Sequence, residues 1–339
     1  MRLEQSVQAT APTRIDLAGG TVDLWPLYLF HPGSVTINAA IDLRVWVQVE
    51  PTREPGVRLI DRNRNKTVLW KSPEKTPDQP RYELFGQALR HFSVTEGLCV
   101  QFRSEAPKGA GLAGSSALLV AFCGALMRSA KEGIQRERFL PLVRDLETRL
   151  IKVPAGTQDY YPALWGGIQA LWWRPGGVLR ESLPALPREL EERLLLVHTG
   201  TSRHSGVNNW EVFKRHLDGD RRVRRFFEKI VEAGQAMVEA LRGGDYCGVG
   251  RAMAAEAAAR RRLFPGIVTR EIHVLERSLR PLGAIGTKVC GAGGGGCVVV
   301  YVDPEHRRRV EEKIRAMGFR LLSFKIAKKG LSFRRTENP

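Results

Sequence analysis

Ser34 to Glu50, SVTINAAIDLRVWVQVE, is rich in β-branched and aromatic residues and alternates apolar with polar over its second half, which predicts strands. Val7 to Ala11 and Arg14 to Leu17 read as two short strand pieces around Pro12. Val57 to Trp70 reads as a hairpin turning at Asp61-Arg62-Asn63-Arg64-Asn65, and Leu98 to Ser104 as a further strand. Tyr82 to Val94 and Arg136 to Leu150 have helical patterns, and the Pro-rich stretch Lys71 to Arg81 is an exposed loop. Between them stands Pro107 to Met127, PKGAGLAGSSALLVAFCGALM, a glycine-rich loop and two serines followed by about four turns of unbroken helix.

Around residues 170 to 190, Trp172-Trp173-Arg174-Pro175-Gly176-Gly177 with Pro184 and Pro187 predicts a strand, a turn and a linker, so the domain boundary falls here, dividing 1–185 from 186–339. Beyond it Leu194 to His198 is a short strand, followed by a polar loop. Phe226 to Leu241, Cys247 to Leu263 and Arg270 to Leu279 are helices. A glycine run then leads into the strand Val298 to Val302, the helix Pro304 to Met317, the strand Leu321 to Ile326 and a basic tail.

Composition narrows the class. A chain of 339 residues holds two domains of ordinary size, and 43% hydrophobic with 26% charged residues excludes both a disordered chain and a membrane bundle. No apolar run is long enough to span a bilayer, and Met1-Arg2-Leu3-Glu4-Gln5 leads into no signal-peptide core, so a cytoplasmic, soluble protein is expected. Cys99, Cys123, Cys247, Cys290 and Cys297 form no C-x-x-C pair and suggest neither zinc nor disulfides. The formal charge of +17 sits largely in Arg221 to Arg225, Arg260-Arg261-Arg262, Arg307-Arg308-Arg309 and Lys328 to Arg335. No nucleic-acid-binding spacing accompanies these clusters, which read as solvated faces, part of whose charge steers an anionic substrate. Neither a specific nucleic acid nor a membrane is expected as a partner, and the chain is expected as a monomer or homodimer.

The chemistry concentrates in three glycine-rich stretches. Amides of the loop Gly109 to Gly114 and of the following helix N-terminus suit a phosphate chain. Gly109-x4-Gly114 has the spacing of a Walker A loop, but Ser115-Ser116 stands where that motif needs Lys and then Ser or Thr, which excludes it. Gly291 to Gly296 contains G-x-G-x-x-G, yet the β run VVVYV after it is not the helix that a dinucleotide fingerprint must open. Arg14 is a permanent cation able to pair with a carboxylate or to stabilise an alkoxide, and Asp23, after a pair of glycines, suits substrate hydroxyls. Read alone, both residues fit ordinary ion pairs equally well. Asp159 in G-T-Q-D-Y-Y is placed either to cap a helix or to take a proton.

Taken in order, A-P-T-R-I-D-L-A-G-G-T-V-D, P-x3-G-L-x-G-S-S-A, G-x-Q-D-x-Y-x-A-x-x-G-G and K-x-x-G-A-G-G-G-G-C resemble the motifs of the GHMP small-molecule kinases across nearly the whole chain. The Gln-Asp-x-Tyr form is most similar to the bacterial heptose 7-phosphate kinase branch. The resemblance implies an α+β GHMP kinase fold, with a ribosomal-S5 domain 2-like N-terminal domain and a ferredoxin-like C-terminal domain. It implies ATP held by Pro107, Gly109, Ala110, Gly111, Leu112, Ala113, Gly114, Ser115 and Ser116. Mg²⁺ would be held by Ser116 and Glu147, with Asp145 as the alternative. Asp159 would act as base and Arg14 as its partner, with substrate near Gly19, Gly20, Asp23, Gln158, Arg203, His204, Gly293 and Gly294. The implied reaction is transfer of the γ-phosphoryl group of ATP to a hydroxyl of a sugar or sugar phosphate, foremost the anomeric hydroxyl of D-glycero-D-manno-heptose 7-phosphate; the alternatives are a mevalonate, galactose or fucose kinase, or a non-catalytic sensor that binds ATP and a sugar. Ala113, where glycine is usual, and Thr21-Val22 before Asp23 depart from the pattern.

Overall fold

Two strands organise the first half of the molecule. β1 (Val7–Ala18) and β2 (Val35–Thr52) run antiparallel along almost their whole length. The two pieces expected around Pro12 are one strand. The register shifts between Pro12 and Thr13, and such a bulge accommodates a residue with no N–H to give the ladder. β2 is long enough to serve two further neighbours, β5 along its second half and β6 along its first.

This computed structural model describes residues 1–72, 82–95, 97–183, 187–200 and 206–335, with the side chains of 206–208 left aside. After β2 the chain makes the hairpin β3 (Val57–Asp61) and β4 (Lys66–Trp70), helix α1 (Glu83–His91) and strand β5 (Gly97–Ser104). Helices α2 (Gly114–Ser129), α3 (Arg136–Ile151) and α4 (Tyr160–Trp165) follow, then the hairpin β6 (Ile168–Arg174) and β7 (Gly177–Ser182). Next come α5 (Pro187–Arg193), β8 (Leu194–His198) and four helices: α6 (Gly206–Leu217), which the sequence pattern had not indicated, α7 (Arg221–Gly243), α8 (Tyr246–Arg260) and α9 (Arg270–Leu279). The chain finishes with β9 (Ala284–Val289), β10 (Cys297–Val302), α10 (Pro304–Ala316), β11 (Arg320–Leu322) and β12 (Ser332–Arg335).

The first sheet runs β12-β1-β2-β5-β3-β4, with β6 and β7 attached to β2. The second is antiparallel in the order β11-β8-β10-β9, so the first and third of its strands in chain order lie at the centre. β11 is only three residues long and ends well short of Ile326, and the basic tail is not free: Ser332 to Arg335 pair with Val7 to Thr10.

The composition of α2 follows from its place. It packs on β1 and β2 with Ala117, Val120, Ala121, Cys123 and Ala125 buried, and Leu331 and Phe333 press on Gly124 from the returning tail. A helix covered on most sides needs small apolar residues all round. α7 is amphipathic instead, and the carboxylate of Asp220 caps it by accepting from the amides of Arg222 and Val223. Among the described residues no helix is long and apolar enough to cross a membrane.

Candidate active site

The loop before α2 is held from two sides by backbone. The amide of Arg14 in β1 donates to Leu112 O at 3.0 Å, and that of Cys297 donates to Ala110 O at 2.8 Å. Gly111 has φ +73°, and a Cβ there would lie 2.5 Å from Cys290 O; at Gly291 (φ +63°) a Cβ would lie 2.9 Å from Gly111 Cα. The two glycine stretches thus meet backbone to backbone, at positions where a side chain has neither a comfortable φ nor room. Ala113 precedes α2 with φ 58°, and its methyl group offers no oxygen to cap the helix. Gly293 and Gly294 sit further along: the amide of Gly294 donates to Ile267 O at 2.9 Å.

Arg14 is 3% exposed and its guanidinium is shared between two loops. Nε and Nη2 donate to Asp159 Oδ1 at 2.9 and 2.6 Å, while Nη1 donates to Gly111 O at 2.6 Å. Burial disfavours the cation, but the charges of Asp159 and Asp16 outweigh it and hold Arg14 above the ordinary arginine range. Asp159 stands at the N-cap position of α4, yet no side chain caps that helix. Its carboxylate is spent on Arg14, and at 25% exposure it is the most accessible carboxylate among these ion pairs.

Asp23 is buried and accepts from Gln158, whose amide lies 3.0 Å from Oδ2 and whose Nε2 lies 3.3 Å from Oδ1. Burial pushes its carboxyl up to about 6, against the pull of the Gln158 amide. Gly19 and Gly20 form the turn leading to it, and Thr21 takes φ 77° there. The structure therefore brings Arg14, Asp23, Gln158 and Asp159 together. Arg203 and His204 lie outside the described residues.

On the other side of Asp159, Ser116 in the first turn of α2 and Tyr160 both donate hydroxyls to Glu147 Oε2 at 2.7 Å. Glu147 is buried, and desolvation raises its carboxyl despite those bonds. Asp145 faces outward and pairs with Arg144, so Glu147 is the carboxylate that reaches Ser116. A carboxylate and a hydroxyl side by side are the hard oxygen donors that Mg²⁺ takes. Among the described residues no group of three or more His, Cys, Asp or Glu gathers, so phosphate oxygens and water would complete such an ion's shell.

Four charged residues next to the site were given no role by the sequence reading, although Asp16 and Lys288 stand inside its first and last motifs. Asp16 receives Lys288 Nζ at 2.6 Å and Arg260 Nη1 at 3.4 Å, and Glu256 lies 3.4 and 3.7 Å from the same two cations. All four are buried. Burial works against the Asp16 carboxylate, but Lys288, Arg14 and Arg260 hold it below the usual range. Arg260 is thus no solvated residue of an arginine cluster. On α8 it follows Val249, Met253 and Glu256 at helical spacing, one buried stripe that the pattern already contained.

Residues 82–167 match the family model described as the GHMP kinases N terminal domain, and residues 237–319 match that of the GHMP kinases C terminal. The D-glycero-alpha-D-manno-heptose 7-phosphate kinase of Campylobacter jejuni is 23% identical over 335 residues, covering 96% of this chain and 98% of that protein. A mevalonate kinase of Thermococcus sibiricus is 26% identical over 345 residues, with 96% and 97% covered. Among solved structures, a D-glycero-D-manno-heptose 1-phosphate kinase from Bacteriodes thetaiotaomicron superposes with a TM-score of 0.79 at 19% identity, over 98% of this chain and 100% of that one.

Proposed function

The chain belongs to the GHMP kinase family, and from that premise we propose that it transfers the γ-phosphoryl group of ATP to a hydroxyl of a sugar phosphate, the anomeric hydroxyl of D-glycero-D-manno-heptose 7-phosphate being the leading acceptor. The observation that carries the reading is the bond pattern of Arg14. One edge of its guanidinium holds Asp159 and the other holds the Gly111 carbonyl, so one residue ties the base to the phosphate loop. Phosphoryl transfer asks chiefly for positioning and charge neutralisation, which this arrangement supplies.

In this mechanism the loop Pro107 to Ser116 receives the phosphates through its amides and the N-terminus of α2. Asp159 accepts the proton of the attacking hydroxyl as its oxygen bonds to the γ-phosphorus and ADP leaves. Arg14 balances charge at the reacting oxygen. Asp23 and Gln158 orient the acceptor through its other hydroxyls. Ser116 and Glu147 would hold Mg²⁺, which neutralises phosphate charge when bound. The family matches fall on either side of residue 185, which supports a division there into the ATP-binding domain 1–185 and the C-terminal domain 186–339, with Ser332 to Arg335 returning to the sheet of the first. ATP as donor fits a cytoplasmic setting.

Asp23, Gln158 and Asp159 together offer the hydrogen-bond partners that a hydroxyl-rich acceptor needs. The comparable identity to a mevalonate kinase keeps mevalonate as the second acceptor to be tried. The test is ATP consumption with Mg²⁺ against sugars, sugar 7-phosphates and mevalonate, run beside Asp159→Asn. The expected outcome is turnover with the heptose 7-phosphate, falling ~10²-fold or more in the variant while ATP affinity stays within a few-fold. Turnover confined to mevalonate would replace the sugar reading, and a fully active Asp159→Asn would remove the base.

A further inference from the structure

Arg14 lies between two carboxylates. Asp159 holds it at 2.6 Å, and Asp16, two residues along the same face of β1, lies 3.8 Å from Nη1. A buried carboxylate so close to a guanidinium draws it strongly unless other cations satisfy that carboxylate first. Asp16 is satisfied. Lys288 Nζ sits 2.6 Å away, Arg260 Nη1 3.4 Å, and the Gly291 amide donates to its second oxygen at 3.3 Å. Lys288 and Arg260 come from β9 and α8 of the second half, while Asp16 and Arg14 come from the first.

We infer that Lys288 is a positioning residue for phosphoryl transfer: by saturating Asp16 across the junction of the two halves, it leaves the Nε–Nη2 edge of Arg14 to Asp159. Arg14, Lys288 and Arg260 against Asp16, Glu256 and Asp159 make three cations and three carboxylates, so losing Lys288 leaves an excess negative charge next to Arg14. The same network reaches both neighbouring loops. Arg260 Nη2 donates to Gly291 O at 2.5 Å, and the Gly20 amide donates to Glu256 Oε1 at 3.3 Å. Its outer end is looser, since Arg260 Nε and Glu256 Oε2 have no hydrogen-bond partner among the described residues. The tight element is the pair Asp16 and Lys288.

The kinetic arm of the test rests on the reading of the preceding section, and the structural arm does not. Lys288→Met, Asp16→Asn and the charge-balanced double variant are compared for kcat, for KM of ATP and by crystallography. Lys288→Met is expected to lose ~10- to 100-fold in kcat with KM for ATP within about threefold, because Asp16 then competes for Arg14. Asp16→Asn removes the competitor and is expected to stay within about threefold. The double variant is expected to recover to within about fivefold of wild type. A purely structural pair would instead cost stability in both single variants without this asymmetry in kcat. Lys288→Met within threefold of wild type, or a double variant as slow as Lys288→Met, overturns the inference. Should Lys288→Met fail to fold, a double variant more than tenfold slower than Asp16→Asn overturns it equally. In the crystal structure of Lys288→Met, or of the neutral polar variant Lys288→Gln, Arg14 is expected to turn onto Asp16. An Arg14 still on Asp159 refutes the inference even if no acceptor has been found, whereas a wild-type protein inert toward every acceptor counts against the proposed function alone.

Discussion

Asp23 carries a cost that its substitution should reveal. Its carboxyl is pushed up to about 6 from an ordinary value of 3.8, chiefly by burial, so the native state binds its proton more tightly than the unfolded chain does. For a group raised in the folded state, stability falls as pH climbs from about 4 through about 6 and stays reduced above. About two pH units correspond to ~3 kcal/mol at pH 8. Asp23→Asn removes that charge but turns an amide N–H toward one of the two Gln158 donors, which returns about 1 kcal/mol of the gain. The variant should therefore be more stable than wild type by ~1–2 kcal/mol at pH 8, with the advantage gone near pH 4.5. Urea unfolding of both proteins across that range measures it. A difference that does not change with pH, or a less stable variant at pH 8, would show that the Asp23 charge is not the source. The stabilised protein should also bind its acceptor less well, since a carboxylate kept at such a cost belongs to ligand binding more than to folding.

Ala113→Gly should raise stability by about 0.5–1 kcal/mol, because φ 58° strains an L side chain and not glycine; chemical denaturation measures the shift, and an unchanged midpoint would mean the strain is absent. Gly291→Ala should cost about 2–4 kcal/mol, combining φ +63° with a methyl 2.9 Å from Gly111 Cα. It should also raise KM for ATP, since the displaced backbone belongs to the phosphate loop, and a variant with normal KM and melting temperature would deny that the two glycine stretches pack as described.

Most of the strands and helices and all the glycine loops were legible because period and breaker residues are local signals; α6 and the true end of β11 were not. The two pieces around Pro12 were joined by a feature no local pattern carries, the long partner strand that tolerates a bulge. Arg14 and Asp159 stood in motifs, although spacing alone left Asp159 open as a helix cap; it occupies that position but turns its carboxylate to Arg14. Asp16, the α8 pair Glu256 and Arg260, and Lys288 come from three separate segments, and pairing between segments so far apart has no signature in spacing. Three consecutive arginines looked alike as a charge run, yet a helix turns by about 100° per residue and sends them to different surroundings. Arg260 is buried and Arg261 pairs with Glu276.

The strand Ser332 to Arg335 lies against Val7 to Thr10, although nearly the whole chain separates the two segments. On a ribosome producing ~10 residues per second, the outer edge of β1 therefore waits roughly half a minute for its partner. Four residues of open edge, Val7 to Thr10, are a short invitation to wrong pairing, and the neighbouring Gln5 is reserved for Arg335 by two side-chain bonds. Ser332 to Arg335 thus act as a latch on Val7 to Thr10, and a chain cut short before them should leave the ribosome with that strand still unfastened.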